Sequence, residues 1–150
     1  MSWNLGPRSV SIAVLLINAL LVGCQQESSL PVYPVSGTLT INGEPARGAI
    51  LGFHPTQGDL DKRGTIPAGK VKEDGTFVVS TFDIEDGAPA GEYAVTVFWP
   101  QFPSRDDPGD DRMRGKFALP AKPSTTVIIT EGDNTLAPIE LRASNMLRGE

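Results

Sequence analysis

From residue 35 onward apolar side chains return at every second position, in short runs cut by glycine and proline, and this alternation restricts the chain to half-buried β-sheet. In Val35-Ser36-Gly37-Thr38-Leu39-Thr40-Ile41, the residues Val35, Leu39 and Ile41 share one face, with Ser36, Thr38 and Thr40 on the other. Asn42-Gly43 follows at once, a pair suited to a tight hairpin turn because both positions tolerate positive φ. A second run groups Ala49, Leu51 and Phe53, turns His54 the other way, and ends at Pro55, which removes a ladder donor. Gly69-Lys70-Val71-Lys72 and Thr76-Phe77-Val78-Val79-Ser80-Thr81-Phe82, joined by the acidic turn Glu73-Asp74-Gly75, predict a hairpin with Phe77, Val79 and Thr81 on one face. Glu92-Tyr93-Ala94-Val95-Thr96-Val97-Phe98-Trp99 is the strongest strand signal, with Tyr93, Val95, Val97 and Trp99 facing the core and Phe98 opposite.

Two further runs close the pattern: Thr125-Thr126-Val127-Ile128-Ile129-Thr130 and residues 136–141, separated by the turn Glu131-Gly132-Asp133-Asn134. Residues 83–91 hold too many breakers for regular structure. Residues 100–124, with Pro103, Pro108, Pro120 and Pro123, form a long irregular segment of the kind that is either functional or disordered. No segment carries a sustained helical period. Seven short strands with regular turn signals predict an all-β antiparallel sandwich or barrel.

The N-terminal residues obey a different rule. Residues 1–8 carry Arg8 and the free amino group, and residues 10–22 are apolar apart from Ser11 and Asn18. About thirteen such residues fall short of the ~20 needed to span a bilayer as a helix, while matching the apolar core of a secretory signal. The run closes on Leu21-Val22-Gly23-Cys24, which holds the only cysteine of the chain. A lone cysteine makes no internal disulfide, and in an exported protein it is a reactive thiol unless something consumes it. The polar stretch 25–34, with Pro31 and Pro34, reads as an extended spacer of at most about 35 Å. The resulting division is a signal segment 1–23, a cysteine and tether 24–34, a sandwich domain 35–142 and a tail 143–150.

Leu21-Val22-Gly23-Cys24 resembles the bacterial lipoprotein signal, in which the cysteine thiol receives a diacylglyceryl group and becomes the mature N-terminus. That resemblance implies lipidation of Cys24 by fatty acyl chains such as palmitate, with Leu21, Val22 and Gly23 as the recognition box. Two or three chains, at about 0.8 kcal/mol per buried methylene, anchor a protein where one chain is marginal. Gln25 stands where an aspartate would signal inner-membrane retention, so the expected location is the outer membrane, on its periplasmic or surface side.

The succession Val35-Ser36-Gly37-Thr38-Leu39, Gly43-Glu44-Pro45-Ala46-Arg47-Gly48-Ala49, Glu73-Asp74-Gly75-Thr76-Phe77 and Gly87-Ala88-Pro89-Ala90-Gly91-Glu92-Tyr93-Ala94-Val95-Thr96-Val97 resembles the carboxypeptidase regulatory-like, or transthyretin-like, domains of small bacterial lipoproteins. The resemblance implies a seven-stranded antiparallel Greek-key sandwich, usually without an activity of its own. Tyr93 fits the physics of such a site, since its ring packs while its hydroxyl reaches a loop carbonyl.

Chemistry is sparse. Enzymes of related fold use several histidines with an arginine, or iron held by paired His and Tyr, and this chain has one His and two Tyr. Ser-His-Asp catalysis would have to run through His54, yet no serine sits in a nucleophile elbow, and a strand histidine beside proline is usually a solvated surface residue. Asp106, Asp107, Asp110 and Asp111 match no calcium-loop spacing and are flanked by Arg105 and Arg112, so they read as a solvated charge run. No catalytic residue, metal or cofactor is expected. Phe98 and Phe102, if exposed, form a platform for a sugar ring or a partner; otherwise the loop folds over them and Trp99 is core. Thirteen Lys and Arg against eighteen Asp and Glu give a net charge of -5, and beyond Arg8 the balance is twelve against eighteen, or -6. An acidic chain without a basic stripe argues against nucleic acid. The expectation is therefore a membrane-anchored, non-enzymatic sandwich that meets an envelope protein or glycan, the alternative being a carbohydrate- or peptide-binding accessory module.

Overall fold

The computed structural model describes residues 30–101, 107 and 109–147. Among them are nine strands: β1 (Val35–Ile41), β2 (Glu44–Pro45), β3 (Ile50–Pro55), β4 (Ala68–Lys70), β5 (Thr76–Ser80), β6 (Gly91–Phe98), β7 (Thr125–Ile129), β8 (Asn134–Thr135) and β9 (Ile139–Leu141). The described residues contain no helix, and hence none long and apolar enough to cross a membrane. The strands lie in the order β2-β1-β5-β4-β3-β6-β7, antiparallel throughout, while β8 and β9 pair with β1 in parallel. The protein is all-β, and its sheet curls on itself so that inner faces from both ends of the strand order fill one core.

The period-two reading locates that core well. Val35, Leu39 and Ile41 of β1, Leu51 and Phe53 of β3, and Phe77 and Val79 of β5 are all buried, alternating with half-exposed or exposed neighbours. Phe53 stands at the centre. Its ring lies 6.3 Å from Phe77 and 6.4 Å from Tyr93, the second pair edge-to-face at 76°, an arrangement that aromatic quadrupoles favour. β6 is buried on both faces from Tyr93 to Val97 because β3 and β7 flank it and Ala94 and Thr96 leave little to expose. The Tyr93 hydroxyl donates to the carbonyl of Pro89 at 2.8 Å, the loop contact expected of it, and burial raises its pKa.

Several pairings differ from the sequence expectation. The Asn42-Gly43 turn forms, with φ of 56° and 86°, but its returning arm β2 is two residues long. β3 does not pair with β1; it crosses to β4 and β6. A hairpin turn dictates only the next few residues, and Gly48, at φ 80°, redirects the chain before Ala49. Residues 136–141 likewise do not return along β7. Asn134 turns the chain onto β1, where Ile139 and Leu141 bury their side chains beside Leu39 and Ile41.

Residues 143–147, read from sequence as part of a tail, are held down. Asn42 Nδ2 donates to the Ala143 carbonyl at 2.9 Å, Ala143 N–H donates to Asn42 Oδ1 at 3.1 Å, and Leu147 N–H donates to the Arg112 carbonyl at 2.9 Å. At the other end, Tyr33 and Ala88 exchange two main-chain hydrogen bonds of 2.9 and 3.0 Å. The chain passes so close there that residue 87 has room only for glycine. A Cβ on Gly87, at φ 96°, would sit 1.8 Å from the Tyr33 carbonyl oxygen.

Candidate functional site

At the end of β6, residues 99–101 and 110–115 fold against each other and build one wall of a surface groove. Asp111 organises it. Its Oδ1 accepts N–H groups of Trp99 and Met113, each at 3.1 Å, and its Oδ2 accepts the N–H of Gly115 at 2.7 Å. The Arg112 N–H donates to the Trp99 carbonyl at 2.8 Å, and Gln101 N–H donates to the Asp110 carbonyl at 2.9 Å. Met113 is thereby driven into the core.

This turn lays the Arg112 guanidinium 3.9 Å above the Trp99 ring, a cation–π geometry worth about 0.5–2 kcal/mol depending on solvation. Trp99 itself is 7% exposed, and its indole N–H donates to the Arg47 carbonyl at 2.9 Å. Among the described residues the buried Arg112 Nε has no hydrogen-bond partner, and an unpaired buried donor costs about 1–3 kcal/mol.

Beside this stack opens a groove of about 1160 Å³. Ile50, Val78 and Ser80 line it from the outer sheet face, the Trp99–Arg112 stack from one side and Ile84 from the other. Ile84 is 87% exposed on a loop that Asp86 ties down by accepting the N–H groups of Thr81, Phe82 and Asp83 at 2.6, 3.0 and 2.9 Å. Two ion pairs edge the groove, Arg47–Glu73 at 2.7 Å and Lys72–Glu85 at 3.1 Å. The hydrogen bond to Glu73 raises the Arg47 pKa, and its charge adds to that. Both pairs are solvent-exposed and add little stability. Their carboxylates and cations are instead placed to meet a polar ligand, in a groove whose apolar lining includes Ile50, Val71, Val78, Ile84 and Trp99. The arrangement is one for binding: apolar surface flanked by paired charges, with one stacked guanidinium.

Of the residues singled out from sequence, Leu21, Val22, Gly23, Cys24 and Phe102 lie outside the described residues, as do Arg105 and Asp106. Phe98 is half-buried on the outer sheet face opposite Ile50. Trp99 is core, as the folded-loop alternative required. His54 sits on the outer face with Nε2 3.0 Å from Thr96 Oγ1, and burial lowers its pKa. It is not among the groove residues. Asp107 Oδ1 accepts the Gly109 N–H at 2.8 Å and Asp111 is occupied by main-chain donors, so these carboxylates shape turns. Among the described residues no three His, Cys, Asp or Glu side chains converge to hold a metal ion. Sequence reading missed Arg47 and Arg112. The available signal was Asp111 followed by Arg112-Met113-Arg114-Gly115, an acidic residue placed to accept the amides of the turn that follows it.

No protein-family model matches the chain, and no curated protein matches it. Among solved structures it is similar to a DUF3823 family protein from Parabacteroides merdae, with 18% identity over 77% of this chain and 47% of that one, at a TM-score of 0.42. The chain therefore spans about half the length of that protein.

Proposed function

We propose that this chain is a non-enzymatic envelope lipoprotein, anchored by lipid on Cys24, whose transthyretin-like Greek-key sandwich serves a structural, assembly or interaction role. The observation that carries this reading is Leu21-Val22-Gly23-Cys24 closing a thirteen-residue apolar run, with the sole cysteine of the chain at its end. The all-β architecture supports the sandwich, as does a core filled jointly by β1, β3, β5 and β6. The tether 24–34 is short, so the domain works close to the membrane surface. Labelled palmitate should enter the wild-type chain and not Cys24→Ala, and the variant should move to the soluble fraction. Equal labelling of both, or a variant that stays with the membranes, refutes the anchor.

The second reading, a carbohydrate- or peptide-binding accessory module, is favoured by the groove beside the Trp99–Arg112 stack. Ligand entry would disturb that stack. Titration with envelope glycans or peptides should therefore shift the Trp99 emission of the wild-type chain and leave Arg112→Ala unmoved; emission constant in both dismisses the binding module.

A further inference from the structure

Among the described residues β7 ends the strand order, paired with β6 on one side only. Which of its main-chain groups are left over follows from the alternation of an antiparallel ladder. Thr56 N–H donates to the Glu92 carbonyl at 3.0 Å, so Glu92, Ala94, Thr96 and Phe98 direct their main-chain groups toward β3. Tyr93, Val95 and Val97 direct theirs the other way, as the Ser124 N–H to Val95 carbonyl bond of 2.8 Å confirms. In β7 the groups of Thr125, Val127 and Ile129 accordingly meet β6, and those of Thr126 and Ile128 face outward.

The open window is short and bounded. Thr130 would face outward next, but its N–H donates to Asn134 Oδ1 and its carbonyl accepts Asn134 Nδ2, both at 2.9 Å. At the other end the Ser124 N–H is already spent on Val95. Only a 3.5 Å approach of Thr125 Oγ1 touches the Thr126 carbonyl. Two residues, symmetric about Val127, thus present two donors and two acceptors. The strand carries no charge or proline, residues 137–141 face its first half only across a cleft of about 380 Å³, and Ile128 is 68% exposed.

We propose that β7 pairs antiparallel with β7 of a second copy, on a two-fold axis through Val127. Thr126 of each copy then lies opposite Ile128 of the other, all four open groups on each strand are satisfied, and nothing is left over. The Ile128 side chain packs beside Thr126 of the second copy on the outer face. Charge selects the same direction. Exposed Lys122 precedes β7, and exposed Glu131 and Asp133 follow it, so antiparallel pairing sets the basic end of each strand beside the acidic turn of the other. Parallel pairing would bring like charges together. Two five-residue strands cover less than the roughly 800 Å² per partner of a standard interface, so the association is of the weak class that a covalent trap reads best.

The test uses the full chain with single cysteines introduced by Val127→Cys, Thr126→Cys or Ile128→Cys, and the wild type, whose one cysteine is Cys24, as the blank. In the proposed register the two Val127 Cα atoms lie about 4.5 Å apart, within disulfide reach. Equivalent residues at 126 or 128 lie on the diagonal, about 7–8 Å apart. Mild oxidation should give a disulfide dimer with Val127→Cys and none above the blank with the other two. Should Val127→Cys fold poorly, sedimentation serves instead: the apparent mass of the wild type rises with concentration, and that of Ile128→Lys does not. Equal crosslinking at all three positions overturns the proposal. So does a concentration-independent monomer mass for the wild type, or a Val127→Cys adduct to another protein in place of the dimer.

Discussion

Gly87→Ala is expected to be among the most damaging single-methyl additions the chain can receive, and its cost divides into two parts that a control separates. At φ 96° any L-residue carries left-handed strain of about 1–2 kcal/mol. The second part is steric. The new Cβ would lie 1.8 Å from the Tyr33 oxygen and 2.4 Å from its carbonyl carbon, and no side-chain rotation relieves a contact between two backbones. Residues 33 and 34 must move, and the two Tyr33–Ala88 hydrogen bonds are lost at about 0.5–1.5 kcal/mol each. The sum is about 2–5 kcal/mol, a large share of the ~5–15 kcal/mol by which domains are stable. Gly43→Ala is the control, since Gly43 has φ 86° and nothing within 4 Å of a new Cβ. Urea unfolding of the full chain should show Gly87→Ala below Gly43→Ala by at least about 1 kcal/mol, the two lost bonds taken at their weakest. Amide exchange should accelerate at Tyr33 and Ala88 in the first variant alone. Equal losses in the two variants would refute the reasoning.

Three further outcomes follow from the same geometry. Phe53→Ala, which empties the centre of the aromatic cluster, should lower unfolding stability by about 3–5 kcal/mol in urea titration. Tyr93→Phe leaves the Pro89 carbonyl without its donor and should cost about 1–3 kcal/mol with the far-UV spectrum unchanged. His54 has its pKa lowered by burial from the ordinary 6.5, so the unfolded chain takes up a proton first as pH falls. The contribution of His54 is complete above pH 6.5 and is lost as pH drops from there toward the folded-state value, and His54→Gln should flatten the stability profile in that window.

The core was legible because alternation is a local property: Val35, Leu39, Ile41, Leu51, Phe53, Phe77 and Val79 are all buried, and each was placed by its own run. Pairing was less legible because it depends on which runs meet. Nothing in residues 136–141 distinguishes a strand that returns along β7 from one that lies parallel to β1; burial of Ile139 and Leu141 satisfies either. The groove was hidden for a similar reason. Arg47 and Arg112 are far apart in sequence; the β3–β6 pairing brings the first to Trp99, and the Asp111 turn brings the second. Trp99 reads from sequence as a core residue and it is one, but with one face under a guanidinium, a state that no alternation pattern encodes.

The parallel pairing of β1 with β8 and β9 bears on how the chain reaches its fold. β1 starts at residue 35, and its partners on one edge are residues 134–141. That edge cannot close until about a hundred residues have followed, so much of the ordering entropy is lost before these contacts form. Such long loops slow folding and leave an unpaired edge exposed meanwhile. A chain made from its N-terminus carries β1 half-paired until those hundred residues have followed. The two strands that complete it, β8 and β9, emerge about a hundred residues after it and fix its last neighbours.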